Sequence, residues 1–313
     1  MELLINIILL IIGFVLLIKG ADVFVDGASN VAYNYKIPSI IVGLTIVAFG
    51  TSAPEAAVSI TASLAGSNAI SLGNVVGSNI FNILGVIGVS ALLGTLTVDK
   101  VLIKRDFPFL VISTIFLLII AYLFGEISQI CGIFFLIIII AYVYYLVIKA
   151  KEDKEAMSEE VIASLSIPKA IIYIIIGMVA IIIGSDLVVD SASFIAGTFG
   201  MSDTLIGLTI VALGTSLPEL VTSITALKKN NNGIVVGNVL GSCIFNILFI
   251  LGISSAITPM PIAPDMVFDI FLMTLVTIIG AWFTYTKSEV DKKEGLVLVL
   301  LFIAYMAFAI IRN

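Results

Sequence analysis

Two glutamates occupy positions where a charge is hardest to hold. Residues 50–55 read GTSAPE and residues 214–219 read GTSLPE, each in the middle of a long apolar run. Ser52 precedes Glu55 by three positions and Ser59 follows it by four, so all three share one helix face, and Ser216, Glu219 and Ser223 repeat the arrangement. Two further segments, GNVVGSNIFNIL at 73–84 and GNVLGSCIFNIL at 237–248, place Ser78 with Asn82 and Ser242 with Asn246 at a spacing of four. Every candidate ligand offers oxygen, which suits hard cations such as Ca²⁺ and Na⁺ better than soft metals. Ca²⁺ takes about 6–8 oxygens in forgiving geometry, and two bidentate glutamates supply about half of them; Mg²⁺ demands a stricter octahedron. An unpaired charge at a bilayer centre costs roughly 2.5–3.5 kcal/mol on insertion scales. The chain has no histidine and its basic residues cluster between the apolar runs, so a bound cation or a proton must neutralise Glu55 and Glu219.

Pro54 and Pro218 have no N–H, so the carbonyls of Gly50 and Gly214 lose their helical partners, and each GTS turn is expected to aim main-chain oxygens inward as ligands. Gly73 with Gly77, and Gly237 with Gly241, are read as close helix contacts. Hydroxyls in membrane helices commonly bond a backbone carbonyl or a neighbouring helix, which is the reading of Ser59, Ser223, Thr61 and Thr225. Asn74 and Asn238 are read as interhelical hydrogen-bonders. Asp22, Asp26, Asp186 and Asp190 are expected to face water at the membrane boundary. Cys131 and Cys243 read as small hydrophobes, and Cys243, which stands where the first motif has Asn79, as a packing difference.

The elements that must position these residues are membrane helices. The chain is 60% hydrophobic and only 12% charged, with a mean hydropathy of +1.24, which makes it an integral membrane protein of all-α class whose partner is the lipid bilayer. Runs long enough to span recur near 4–26, 39–65, 70–95, 106–124, 128–149, 168–192, 203–228, 233–258, 266–286 and 294–311, giving ten transmembrane helices. The first lacks a basic leader and is too long for a signal peptide, so it is kept as a helix. Thirteen of the fifteen lysines and arginines fall between helices 1 and 2, 3 and 4, 5 and 6, 7 and 8, or 9 and 10; Lys19 and Arg312 are the others. Basic flanks stay cytoplasmic, so both termini are expected outside the cell membrane.

Laying residues 43–90 on 207–254 without a gap gives 29 identities in 48 positions, and the same offset of 164 pairs Asp22 with Asp186 and Asp26 with Asp190. The chain therefore reads as two repeats, 1–150 and 168–313, joined by a charged cytoplasmic linker at 151–167. Five helices per repeat is an odd number, so the halves must have inverted topology. That is the organisation of secondary transporters, with a site at the midplane where interrupted helices, here 2, 3, 7 and 8, meet.

The paired GTSxPE and GNxxGSxxFN segments resemble the two alpha-repeats of the sodium/calcium exchangers, within the calcium/cation antiporter superfamily, and the likeness covers the whole chain. The resemblance implies exchange of three Na⁺ for one Ca²⁺ by alternating access, with helices 1 and 6 sliding across the other eight. It also implies the ion ligands: Thr51, Ser52 and Glu55, then Ser78 and Asn82, Thr215, Ser216 and Glu219, and Ser242 and Asn246, with the carbonyls of Ala48 and Ala212 serving Na⁺. Potassium-dependent relatives carry an aspartate at the position of Asn246, so K⁺ co-transport is disfavoured.

Three Na⁺ against two carboxylates leaves +1 in the site and one Ca²⁺ leaves zero, so such a cycle moves one net charge. A Ca²⁺/H⁺ antiporter is the nearest alternative, although the cation/proton exchangers lack the GTSxPE run. A passive cation channel is the alternative of another class. No nucleotide loop, histidine or nucleophile–base pair supports an enzyme or an organic cofactor. There is no nucleic-acid signal, and no protein partner can be inferred.

Overall fold

A computed structural model describes residues 2–153, 164–201 and 212–312 of the chain. Most of the linker read at 151–167, and the start of the seventh run and second motif (residues 203–211), lie outside the described residues. The helices are α1 (Glu2–Tyr35), α2 (Ser39–Thr51), α3 (Ala53–Leu64), α4 (Asn68–Leu93), α5 (Leu102–Phe124), α6 (Gln129–Asp153) and α7 (Ile167–Thr198). After a helical turn at Ala212–Gly214 come α8 (Leu217–Lys228), α9 (Asn232–Ile257), α10 (Pro264–Lys287) and α11 (Lys292–Arg312). Among the described residues eight helices are long and apolar enough to cross a membrane, and α2 with α3 makes a ninth. α8, at 12 residues, and the Ala212–Gly214 turn before it fall in the described part of the expected seventh span.

Helix 2 breaks where its sequence dictates. Ser52 leaves helical geometry (φ −84°, ψ 8°) immediately before the Ala53-Pro54 start of α3, and the two segments meet at 50°. Ser216 has the same role before Leu217-Pro218 (φ −96°, ψ 7°). Helices 3 and 8 depart from expectation, because α4 and α9 run through without a break. Neither contains a proline to remove a donor, and each instead widens into a π-helical turn, Phe81–Val86 in α4 and Asn246–Ile250 in α9. Such turns favour functional sites because they re-aim the adjoining side chains.

α4 and α9 are the most deeply buried helices, while α1, α6 and α11 turn most of their apolar surface outward, as lipid-facing helices do. Two short strand pairs tie loops at the ends of the bundle: β1 (Leu96–Thr97) with β4 (Glu289–Val290), and β2 (Glu126–Ile127) with β3 (Met260–Pro261).

α1 and α7 form the most extensive helix contact, and glycines make it. A β-carbon at Gly184 would lie 2.7 Å from the Leu17 nitrogen and 2.8 Å from the Gly13 carbonyl, and one at Gly177 would lie 2.6 Å from the Phe24 nitrogen. Only a residue without a side chain allows that approach. Gly237 and Gly241 do the same for α9 against α2, with the Ile40 carbonyl 2.8 Å and the Leu44 carbonyl 2.6 Å from the built positions. Gly73 and Gly77 instead border a cleft.

Among the described residues, charged side chains away from the motifs are paired or wet. Asp106 is fully buried and accepts hydrogen bonds from Arg105 (2.9 Å from each of two nitrogens) and the Tyr142 hydroxyl (2.7 Å). Asp22 and Asp26 are half-exposed, as expected of a boundary position, and both meet Lys229, at 3.5 and 2.7 Å.

Candidate cation-binding site

The two motif prolines start α3 and α8 in the interior, and this places Glu55 and Glu219 in the first turn of each, both with no solvent exposure. Each carboxylate is held by a hydroxyl from the other motif. Ser216 Oγ donates to Glu55 Oε1 at 2.9 Å, and Ser52 Oγ donates to Glu219 Oε1 at 2.9 Å. Ser78 on α4 meets Ser216 at 3.0 Å, and Ser242 on α9 donates to Glu219 Oε1 at 3.3 Å. These bonds join α2, α3, α4, α8 and α9 into one polar centre.

Asn74 and Asn238, read as interhelical hydrogen-bonders, bridge helices in matching fashion. Asn74 Nδ2 donates to the Glu55 carbonyl (3.2 Å) and Ser59 Oγ (2.9 Å); Asn238 Nδ2 donates to the Glu219 carbonyl (3.4 Å) and Ser223 Oγ (3.2 Å). Their oxygens accept from the threonines of the opposite motif, Thr215 to Asn74 at 3.4 Å and Thr51 to Asn238 at 3.0 Å. Ser59 and Ser223 each thereby accept a hydrogen bond from an asparagine of the following helix.

The unpartnered atoms reveal what the centre can do. Glu55 Oε2, Glu219 Oε2, Asn246 Oδ1 and both polar atoms of Asn82 are buried without a hydrogen-bond partner. A buried polar atom left unpaired costs about 1–3 kcal/mol, more when charged. With no lysine or arginine paired to either glutamate among the described residues, the acceptors suit a cation. No group of three or more acidic, cysteine or histidine side chains gathers among the described residues, so an ion here would rely on two carboxylates and on neutral oxygens.

Of the residues singled out in sequence, Thr51, Ser52, Glu55, Ser78, Asn82, Ser216, Glu219, Ser242 and Asn246 are all buried. Ala48 is buried and its carbonyl accepts from Thr51 Oγ1 at 3.4 Å; Ala212 opens the helical turn before the second motif. Thr215 differs from Thr51 in being partly exposed, since two clefts reach it. One runs between α3 and α7 past Pro54 and Thr61 to Ala65, Asp186 and Asp190; the other is bordered by Asn74, Ser78, Asp269 and Arg312.

One expectation needs correction. The carbonyl that Pro218 frees at Gly214 is not left without a partner, because the Ser185 hydroxyl of α7 donates to it at 2.8 Å. Ser185 was missed in sequence, since the residue 164 positions earlier is Ala21 and the repeat gives no hint of it. Cys243 likewise makes more than a packing contact: its thiol faces the Asn79 carbonyl at 3.9 Å.

Comparison with known proteins agrees with this geometry. The profile of the family described as Sodium/calcium exchanger protein matches residues 5–148 and again residues 169–311. The chain is 40% identical to the putative antiporter CaxA of Alkalimonas amylolytica, over 95% of this chain and 96% of that protein. It is 32% identical to the sodium/calcium exchanger MaX1 of Methanosarcina acetivorans, over 96% and 97%. Among solved structures it superposes on the sodium-calcium exchanger NCX_Mj soaked with 10 mM Na⁺ and zero Ca²⁺ with a TM-score of 0.86, at 32% identity and covering 97% of this chain and 99% of that one. With both halves matched and similarity running end to end, the chain belongs to the sodium/calcium exchanger family.

Proposed function

We propose that this protein exchanges Na⁺ for Ca²⁺ across the cell membrane, three to one, at a site built by Glu55 and Glu219 with the oxygens of Thr51, Ser52, Ser78, Asn82, Thr215, Ser216, Ser242 and Asn246 and the carbonyls of Ala48 and Ala212. The observation that carries the reading is the pair of fully buried carboxylates, each bound by a serine of the opposite motif and each keeping one oxygen without a partner. Two negative charges balance one Ca²⁺, and Na⁺ ions drawn to the same oxygens exclude it. Three Na⁺ leave one net charge, which couples transport to voltage at roughly 2.3 kcal/mol per 100 mV.

Ten helices in two inverted halves, with both termini outside the cell, fit the matched cross-bonds between the motifs and the double family match. Alternating access draws support from the inequality of Thr51 and Thr215: clefts reach Thr215, whereas on the Thr51 side α9 is packed backbone to backbone on α2. The deciding experiment is Ca²⁺ uptake into proteoliposomes driven by a Na⁺ gradient at constant pH. Glu55→Gln and Glu219→Gln should each abolish it, and near-normal uptake by either variant overturns the site.

A further inference from the structure

Asn82 and Asn246 occupy equivalent positions, 164 residues apart, yet their amides are held differently. Asn246 Nδ2 donates to Asn79 Oδ1 at 3.1 Å, whereas neither polar atom of Asn82 has a partner. The cause lies at one position of the repeat. Asn79 and Cys243 are equivalents of each other and meet where α4 crosses α9: Asn79 Nδ2 donates to the Cys243 carbonyl at 3.2 Å, and the Cys243 thiol faces the Asn79 carbonyl at 3.9 Å. Asn79 has an amide oxygen left over, and it takes the Asn246 NH₂. Cys243 has only a sulfur, a weak acceptor, which the Asn82 side chain approaches without forming a well-made hydrogen bond.

An asparagine facing a cation must present its oxygen, because a half-turn of the amide presents two donors instead. Asn246 lies one helical turn beyond Ser242, whose hydroxyl binds Glu219. With its nitrogen tied back to Asn79, its Oδ1 is the end left unpaired, and all three residues are buried to within 1%. We infer that Asn79 is a positioning residue for ion exchange: through the Asn246 amide it keeps Oδ1 presented to the cation, whereas the sulfur of Cys243, in the equivalent place, holds Asn82 less firmly. This inference rests on the proposed ion site and adds to it a residue that touches no ion.

The test compares Na⁺-driven Ca²⁺ uptake by the intact protein in proteoliposomes across a Ca²⁺ series. Partners that orient a metal ligand typically change affinity by about 10–100-fold, so Asn79→Cys should raise the KM for Ca²⁺ about tenfold with kcat held within about twofold. In an Asn246→Ala background, where no amide remains to be oriented, Asn79→Cys should leave KM unchanged. Asn79→Ser also withdraws the acceptor and serves if the cysteine variant fails to reach the membrane. Unchanged KM in both Asn79 variants overturns the inference, as does a tenfold rise that persists without the Asn246 amide. Glu55→Gln, run in parallel, separates the two readings. If it abolishes uptake while Asn79→Cys is silent, the ion site stands and the anchor falls; if it transports normally, both fall.

Discussion

Ser216→Ala should damage a carboxylate in the other half of the chain. The Ser216 hydroxyl donates to Glu55 Oε1 at 2.9 Å, and Glu55 Oε2 has no partner, so the substitution removes the closest bond that fixes the carboxylate. Hydrogen bonds to charged groups contribute about 1.5–3 kcal/mol, and each 1.4 kcal/mol is about a factor of ten in affinity. The KM for Ca²⁺ in Na⁺-driven uptake should therefore rise by roughly 10- to 100-fold. Ser52→Ala acts on Glu219 in the same way but should cost less, because Ser242 still donates to Glu219 Oε1 at 3.3 Å. Binding can be followed apart from transport through the rise in melting temperature that Ca²⁺ produces in detergent, since a ligand bound only by the folded state stabilises it according to its concentration over Kd. In a Glu55→Gln background Ser216→Ala should add little further loss of that rise. A KM within twofold of the parent for Ser216→Ala, or a larger effect for Ser52→Ala, refutes the reasoning.

Three other outcomes follow from geometry. Gly241→Ala puts a methyl 2.6 Å from the Leu44 carbonyl and from Ala48 Cβ, so thermal unfolding in detergent should show a loss of about 1–3 kcal/mol. Asp106→Ala strips a buried acceptor from Arg105 and Tyr142 and should destabilise by roughly 3 kcal/mol, against about 1 kcal/mol for Tyr142→Phe, by the same measurement. Asp291 caps α11, accepting from the backbone N–H groups of Glu294 and Lys293, and with nearby Lys287 these hold its carboxyl below the ordinary 3.8. A lowered carboxylate stabilises above its unfolded value and loses that contribution as pH falls through the folded one. Protection of the amides at the start of α11, taken as the hydrogen-exchange rate relative to the intrinsic rate at each pH, should therefore fall in acid, and Asp291→Asn should flatten that dependence.

The parts of the site legible in sequence were those that depend on one helix. A spacing of three or four reports neighbours on a common face, which holds for Glu55 and Ser59 on α3, while proline chemistry located the bend at Ser52, which leaves the helix there. The same arithmetic is silent on partners from other helices, so it missed that Ser52 serves Glu219 and Ser216 serves Glu55. The freed Gly214 carbonyl was misjudged for the same reason, because Ser185 reaches it from α7. The analogy with secondary transporters suggested breaks in helices 3 and 8, but with no proline the backbone kept its bonds in a wider turn. Asn79 and Cys243 looked like a mere mismatch between copies until their helices were seen to cross there.

Gly13 and Gly184, and Gly177 and the Phe24 backbone, are lodged into each other so closely that a methyl group at any of these glycines has no free volume to enter. The first and seventh helices are in that sense one fitted piece, and a wedge driven in at a single glycine would be felt along both rods at once.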